Sequence, residues 1–224
     1  LSEITTFWEK VEKTPSSFKP QEAIVHLGVV VSPNATEFQR TMFLNCTKAE
    51  KFAQEFFATP PQTILDLGAG LGTNSLTMAA NGSHVTAIDS SKELLTKFSQ
   101  SSKGVCPKEN LRLRKGDIAT MPSYEGPFDL VLAVDILPYL SPTSLQSTLK
   151  KIHECLSPDG IFVGTLFTLI SKEEPFHIFM GKIGAHFYKG YEKFVRDILT
   201  YSGFKIIALE EKEYGQFRFK ATKT

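Results

Sequence analysis

From residue 61 onward, two hydrophobic rhythms alternate along the chain. Apolar runs at 63–67, 84–88, 128–134 and 160–167 read as strands, the run at 128–134 nearly unbroken, and 111–114 reads as a further strand. Continuous runs of this kind suit strands covered on both faces. Between them, apolar residues recur at helical spacing. A helix is expected over 73–80. Ser90 to Glu93 has the spacing of a capping box, and Leu94, Leu95 and Phe98 mark the buried stripe of the helix it opens. Ser141-Pro142 starts a further helix with proline at its first position, and Leu145, Leu149, Ile152 and Leu156 form its inner face. Ser157-Pro-Asp-Gly160 ends it. Residues 191–201 give another helix, with Phe194, Val195, Ile198 and Leu199 inward and Gly203 closing it. Segments 204–209 and 216–221 are the last two strands, and the six residues between them are too few for a helical crossover, so this pair is expected to be antiparallel. The pattern predicts an α/β fold: a doubly wound, mostly parallel seven-stranded sheet closed by an antiparallel C-terminal edge hairpin.

Pro60-Pro61 divides the chain. Residues 1–60 are expected to form an N-terminal helical cap or lid, and residues 61–224 the sheet domain. Thr47 to Glu50 is a second capping box, opening a helix with Ala49, Phe52, Ala53, Phe56 and Phe57 on one face. Phe7 and Trp8 lie on a helix-like piece that Pro15 must end. The regularity lapses between 171 and 190, where one proline, three glycines, two histidines and several aromatics show no period.

Composition narrows the possibilities. The 224 residues carry 25 Lys and Arg against 24 Asp and Glu, a net charge of +1, which argues against a nucleic-acid binder relying on overall charge. With 42% apolar and 22% charged residues, the chain is globular rather than disordered. Cys46, Cys106 and Cys155 are widely separated, giving neither a disulfide framework nor a zinc signature, so no metal is expected and a reducing, cytoplasmic setting is. The apolar stretch at 161–170 is too short to cross a bilayer, which takes about 20 residues. The chain opens on Leu1 without a charged-then-apolar leader, and its natural start is expected to be missing or processed. The sequon-like triplets at Asn34, Asn45 and Asn81 then read as chance.

The informative chemistry lies in Asp66-Leu-Gly-Ala-Gly-Leu-Gly72. Gly68, Gly70 and Gly72 stand at alternate positions between a strand and a helix, where bare backbone turns tightly and lets a ligand approach. A dinucleotide loop would place its third glycine at position 73, which is Thr. Asp66 departs further: a carboxylate there repels a pyrophosphate but suits a ligand bearing an ammonium and a sulfonium. Asp89 ends the second strand, 21 residues past the first glycine, close to the ~20 expected of an acidic residue that bonds ribose hydroxyls.

With these residues in place, the segment 64–167 resembles the S-adenosylmethionine-dependent methyltransferases of class I, the Rossmann-like type. The matching pieces are I-L-D-L-G-A-G-L-G, V-T-A-I-D-S-S, G-D-I-A-T-M-P, F-D-L-V-L-A-V-D-I-L-P-Y-L and L-S-P-D-G-I-F-V, in the family's order and at its spacings. The later Y-S-G-F-K-I-I resembles its last helix and strand. The resemblance implies S-adenosylmethionine as cofactor and S-adenosylhomocysteine as product. It further implies that Gly68, Gly70 and Gly72, with Ala69 between them, admit the methionine moiety and adenosine, and that Asp66 orients the methionyl end. Asp89, with Ser90 beside it, would hold the ribose. Asp117 would meet the adenine amino group and Ile118 pack on the ring, while Val134 and Asp135 floor the methyl-transfer site.

The acceptor is less defined. An activated sulfonium needs positioning more than acid–base help, so no obvious Ser-His-Asp or Cys-His set is required, and the catalytic residues stay open. Candidates for contact with the acceptor are His186, Tyr188 and Tyr139, with His177 in the same irregular stretch. Trp8, Phe38, Phe43 and Phe176, Phe179, Phe187 form two aromatic groups, suited either to packing the cap on the domain or to a lid over an apolar acceptor. Asp135-Ile-Leu-Pro138-Tyr139 lacks the paired prolines of nucleic-acid amino-methylating enzymes and carries no Pro-Cys nucleophile. A small-molecule acceptor is therefore expected, without nucleic acid or membrane. A peptide or protein amine, or a non-catalytic binding module, remains the alternative, and the oligomeric state is left open.

Overall fold

A computed structural model describes residues 24–26, 29–31, 61–168, 185–212 and 215–224. Strands β1 (Ile24–His26) and β2 (Val29–Val31) pair antiparallel as a short hairpin. This is the described part of the expected N-terminal helical cap, and it is extended rather than helical. The helices expected around Trp8 and from Thr47 lie outside the described residues.

The sheet domain runs β3 (Thr63–Leu67), α1 (Leu76–Ala80), β4 (His84–Asp89), α2 (Lys92–Ser101), β5 (Leu111–Lys115), β6 (Phe128–Ala133), α3 (Pro142–Cys155), β7 (Leu156–Phe167), α4 (Tyr191–Tyr201), β8 (Phe204–Glu211) and β9 (Gln216–Lys223). Its seven strands lie in the order β5-β4-β3-β6-β7-β9-β8. The first five are mutually parallel, and β9 runs antiparallel to both β7 and β8. The predicted sheet, with its antiparallel C-terminal pair, is the one observed.

Alternation along each central strand feeds two cores. Leu65, Leu67 and Val131 face α3 and α4 with Leu145, Leu149, Ile152, Val195 and Leu199. Ile64, Leu130 and Leu132 face α1 and α2 with Leu76, Met78 and Phe98. Strands clothed on both faces need apolar residues at every position, which explains the unbroken runs. Phe162 anchors the α3–α4 side between the rings of Phe204 and Phe219, at centroid distances of 5.2 and 5.0 Å.

Several element ends differ from expectation. The first helix begins at Leu76 rather than 73, because the glycine turn extends to Ser75, whose side chain makes no cap bond. The second is capped by Ser91 rather than Ser90: the Ser91 hydroxyl accepts from Leu94 N at 3.2 Å. β7 starts at Leu156, which pairs with Phe128 across a register shift, so the expected turn at 157–160 is carried as an irregularity within the strand. Ser141 caps α3, with Pro142 opening it, as predicted.

Order along the sheet reverses between β3 and β6: β4 and β5 continue one way, β6 and β7 the other. Crevices at such switch points, beyond the carboxyl ends of the strands, are where open α/β sheets bind ligands. The opposite end is tied shut. Asp129 Oδ2 accepts from Gln62 N (3.1 Å), Thr63 N (2.9 Å) and the Thr63 hydroxyl (3.0 Å), and its Oδ1 accepts from the Ser157 hydroxyl (3.3 Å). Among the described residues, no helix is long and apolar enough to cross a membrane.

Candidate cofactor and acceptor site

β3 carries Asp66 to the switch point. The residue is 1% exposed, and its Oδ2 has no hydrogen-bond partner among the described residues. Burial pushes the carboxyl from its ordinary 3.8 up to about 7; the nearby Ser75 hydroxyl pulls it down and the Asp89 charge adds to the rise. The Ser75 oxygen, itself fully buried, lies outside hydrogen-bonding geometry. A buried carboxylate with an idle oxygen is costly unless a donor arrives.

The glycine loop follows. Gly68 N and Ala69 N both donate to Ile88 O, at 2.8 and 3.1 Å, stitching the loop to the end of β4. Gly68, Gly70 and Gly72 all have positive φ, 71°, 55° and 81°. Their surroundings separate their roles. A Cβ at Gly68 would lie 2.7 Å from Ile136, and one at Gly72 would enter the Phe98 ring. At Gly70 a Cβ would meet nothing within 4 Å. Two of the three glycines therefore admit protein side chains, and among the described residues none comes within 4 Å of a Cβ at Gly70.

Asp89, at the end of β4, is 9% exposed and spans loop and helix. Its Oδ2 accepts from Gly70 N (2.9 Å) and its Oδ1 from Ser91 N (2.8 Å). Burial raises its pKa, and the backbone N–H groups of Ser91, Gly70 and Ser90 oppose that rise. Each carboxylate oxygen can accept a second bond, so ribose hydroxyls can be taken without releasing the loop. Ser90 is exposed and, with Lys92, Lys97 and Lys115, lines an open groove of about 640 Å³ beside Asp89, to which no glycine of the loop contributes.

Gly116 N donates to Asp89 O (2.9 Å), drawing the end of β5 alongside. Asp117 then opens a turn: its Oδ1 accepts from Ala119 N (2.9 Å), while its carbonyl accepts from Thr120 N and Met121 N (3.1 and 3.0 Å). Ile118 is 5% exposed and belongs to the main core.

On the other side of the switch point, Val134 is buried and Asp135 is half-buried at φ 54°, a left-handed conformation uncommon outside glycine and asparagine. Asp135 N donates to Thr165 Oγ1 (2.7 Å), and Oδ1 accepts from the Thr165 hydroxyl (2.9 Å) and from Gln216 Nε2 (2.7 Å). Strands β6, β7 and β9 thus meet at one carboxylate. Neither Thr165 nor Gln216 stood out in the sequence.

The three candidates for acceptor contact lie on or against the 136–140 segment that follows Asp135. Tyr139 closes a 3₁₀ turn, Leu137–Tyr139. His186 is exposed, and its N donates to Pro138 O at 2.7 Å. The Tyr188 hydroxyl donates to Leu140 O (3.3 Å), and its ring stacks on Phe194 at 4.2 Å. Burial pushes the Tyr188 phenol up to about 12, so near neutrality it is a donor and not a base. Phe187 stacks on Phe167 at 5.7 Å. His177, Phe176, Phe179, Trp8, Phe38 and Phe43 lie outside the described residues. Among the described residues, no three His, Cys, Asp or Glu side chains gather as a metal site would need.

Known proteins resemble this chain over the same region. Residues 64–160 match the family profile described as "Methyltransferase domain". An uncharacterized methyltransferase of Synechocystis is 32% identical over 127 residues, covering 55% of this chain and 57% of its own. A carboxy-S-adenosyl-L-methionine synthase of Hydrogenovibrio crunogenus is 29% identical over 110 residues, covering 48% and 43%. The chain thus spans about half the length of these curated relatives. Among solved structures, magnesium protoporphyrin IX methyltransferase of Synechocystis with bound S-adenosylmethionine superposes with a TM-score of 0.68, covering 100% of this chain and 98% of its own. At 16% identity that likeness speaks for the fold.

Proposed function

We propose, from the match of residues 64–160 to the methyltransferase-domain profile and from the order of the sheet around them, that the protein transfers a methyl group from S-adenosylmethionine to a small-molecule acceptor by in-line displacement. The observation that carries this reading is the idle Oδ2 of buried Asp66 at the end of β3, four residues ahead of Gly70, where an added Cβ would meet no described atom within 4 Å. An ammonium supplies the donor that this carboxylate lacks, and bare backbone at Gly70 lets the ligand lie close.

When bound, S-adenosylmethionine supplies a methyl group already activated on a sulfonium. The chain's own residues bind, orient and exclude water. Asp66 holds the methionyl ammonium. Asp89 takes the ribose hydroxyls while bracing Gly70. Asp117 and Ile118 receive the adenine. Val134 and Asp135 border the reacting centre, where Thr165 and Gln216 restrain the Asp135 carboxylate. Tyr139, His186 and Tyr188 border the acceptor side. Fixing two reactants in this way can remove about 7–11 kcal/mol of a barrier. The protoporphyrin methyltransferase, a structural neighbour acting on a small molecule, supports the choice of acceptor class.

The test is a thermal-shift series followed by a turnover assay. S-adenosylhomocysteine at 100 times its Kd stabilises the protein by about 2.7 kcal/mol, and S-adenosylmethionine is converted to S-adenosylhomocysteine only when an acceptor from a panel of phenols, carboxylic acids and amines is present. A shift with NAD and none with either S-adenosyl compound overturns the proposal. Binding without turnover on any acceptor leaves a binding module instead.

A further inference from the structure

Lys151 points inward from α3, although its chain neighbour Lys150 lies at the surface beside Glu154. It is 8% exposed. Carbonyl oxygens hold its ammonium: Nζ donates to Ile118 O (2.8 Å), Met121 O (2.8 Å) and Ala119 O (3.4 Å). Three donors thus meet three acceptors from one four-residue turn. Nζ also sits 5.3 Å from the centroid of the Tyr124 ring, whose hydroxyl donates to the same Ile118 carbonyl at 2.9 Å.

Such a group is expensive. Burying an ammonium costs several kcal/mol before any gain, and a methionine would fill the same space on a helix face otherwise lined by Leu145, Leu149 and Ile152. What Lys151 changes is the turn. The carbonyls of 118, 119 and 121 converge on Nζ, while the Ala119 N–H belongs to the Asp117 carboxylate. Without the ammonium, those carbonyls would lose the bonds that fix the turn's outer side.

We propose that Lys151 is a positioning residue for the adenine end of the cofactor site, its three hydrogen bonds to the 118–121 turn fixing the shape in which Asp117 and Ile118 meet the base. The inference rests on the reading of Asp117 and Ile118 as base contacts given above. Lys151 itself touches no ligand. It acts from behind, as a strut between α3 and the loop after β5, and Tyr124 braces the same carbonyl.

The experiment compares S-adenosylhomocysteine with S-inosylhomocysteine, which replaces the adenine amino group by an oxo group, in calorimetric titrations of the whole protein. The unmodified protein is expected to prefer the adenine ligand, and equal binding of the two overturns the proposal. Lys151→Met keeps the aliphatic stem and removes the ammonium. It is expected to weaken S-adenosylhomocysteine about tenfold, as the loss of one or two charge-assisted hydrogen bonds would, and to bring the adenine preference close to one. A merely structural role would lower the melting temperature and leave the preference intact, and that result in folded Lys151→Met overturns the proposal. Tyr124→Phe removes one hydroxyl from the same strut and is expected to move the preference in the same direction, about threefold. Should Lys151→Met fail to fold, an unchanged preference in Tyr124→Phe overturns the proposal by itself. If the unmodified protein binds neither ligand, the methyl-transfer reading falls, and this inference with it. If it binds with an adenine preference that both variants keep, only the role of Lys151 falls.

Discussion

Two aspartates on adjacent strands sit at opposite ends of the sheet and are treated in opposite ways. Asp129, where β6 begins, takes two backbone N–H groups and two hydroxyls. Asp66, near the end of β3, is more deeply buried and has an oxygen with no partner. The first is a clasp whose hydrogen-bonding capacity is used within the fold. The second leaves capacity over. Sequence position alone does not separate them, since both are acidic residues in apolar strands. The difference teaches that a carboxylate's role is read from what remains unsatisfied around it, and the proposed site lies at the end where an acceptor is left over.

The sharpest way to break the comparison is Asp129→Ala. It is expected to destabilise the protein by about 2–4 kcal/mol, through several lost bonds to one charged group, while S-adenosylhomocysteine affinity, measured by calorimetry on the folded fraction, stays within twofold. A large loss of affinity would mean that both ends serve the ligand. The glycine loop offers the next contrast. Gly72→Ala drives a methyl group into Phe98 at positive φ and is expected to cost about 2–4 kcal/mol in denaturant melts. Gly70→Ala meets no atom, so its cost is limited to about 1–2 kcal/mol of backbone strain, and its main effect falls on ligand affinity.

Asp66 sharpens the comparison through pH. Its folded pKa of about 7 lies above the ordinary 3.8, so the native state holds this proton to higher pH than the unfolded chain does. The stability it contributes is complete below about pH 4 and is lost as pH rises through 7. Ligand affinity runs the other way, because the ionised form pairs with an ammonium: S-adenosylhomocysteine should bind about tenfold tighter at pH 8 than at pH 6, one pKa unit being worth 1.36 kcal/mol. Asp66→Asn is expected to flatten both profiles, in thermal melts and in titrations. The smallest effect is expected for Tyr188→Phe, which removes a 3.3 Å bond to Leu140 O and should cost less than about 1 kcal/mol. It should leave the pH dependence of turnover unchanged, since a phenol near 12 is no base at neutral pH.

On the proposed cofactor side the pattern is visible in the sequence because it is local. Asp66, the glycine loop and Asp89 fall within 24 consecutive residues, and strand–turn–helix punctuation announces each of them. The loop's division of labour was hidden, because Ile136 and Phe98, the partners of Gly68 and Gly72, are remote in sequence. The acceptor side resisted for the same reason. Thr165 is 30 residues from Asp135 and Gln216 is 81 away, and only the sheet order joins them. β9 was misleading as well. Gln216, Arg218 and Lys220 alternate with Phe217, Phe219 and Ala221 as though one face were wet, yet all six are buried. Lys151 carried no signal at all: one of two adjacent lysines in a helix reads as surface until the turn that it supports is known.

The reversed strand has a consequence for how the protein is made. β9 is inserted between β7 and β8, so the facing edges of those two have no ladder partner until residues 216–223 arrive. A nascent or prematurely terminated polypeptide lacking that stretch presents two open ladders, the kind of surface that recruits other chains. Ribosome stalling or nonsense mutation upstream of Gln216 would therefore yield a chaperone and protease client rather than a smaller folded domain, and the Gln216 bond to the Asp135 carboxylate would be missing as well.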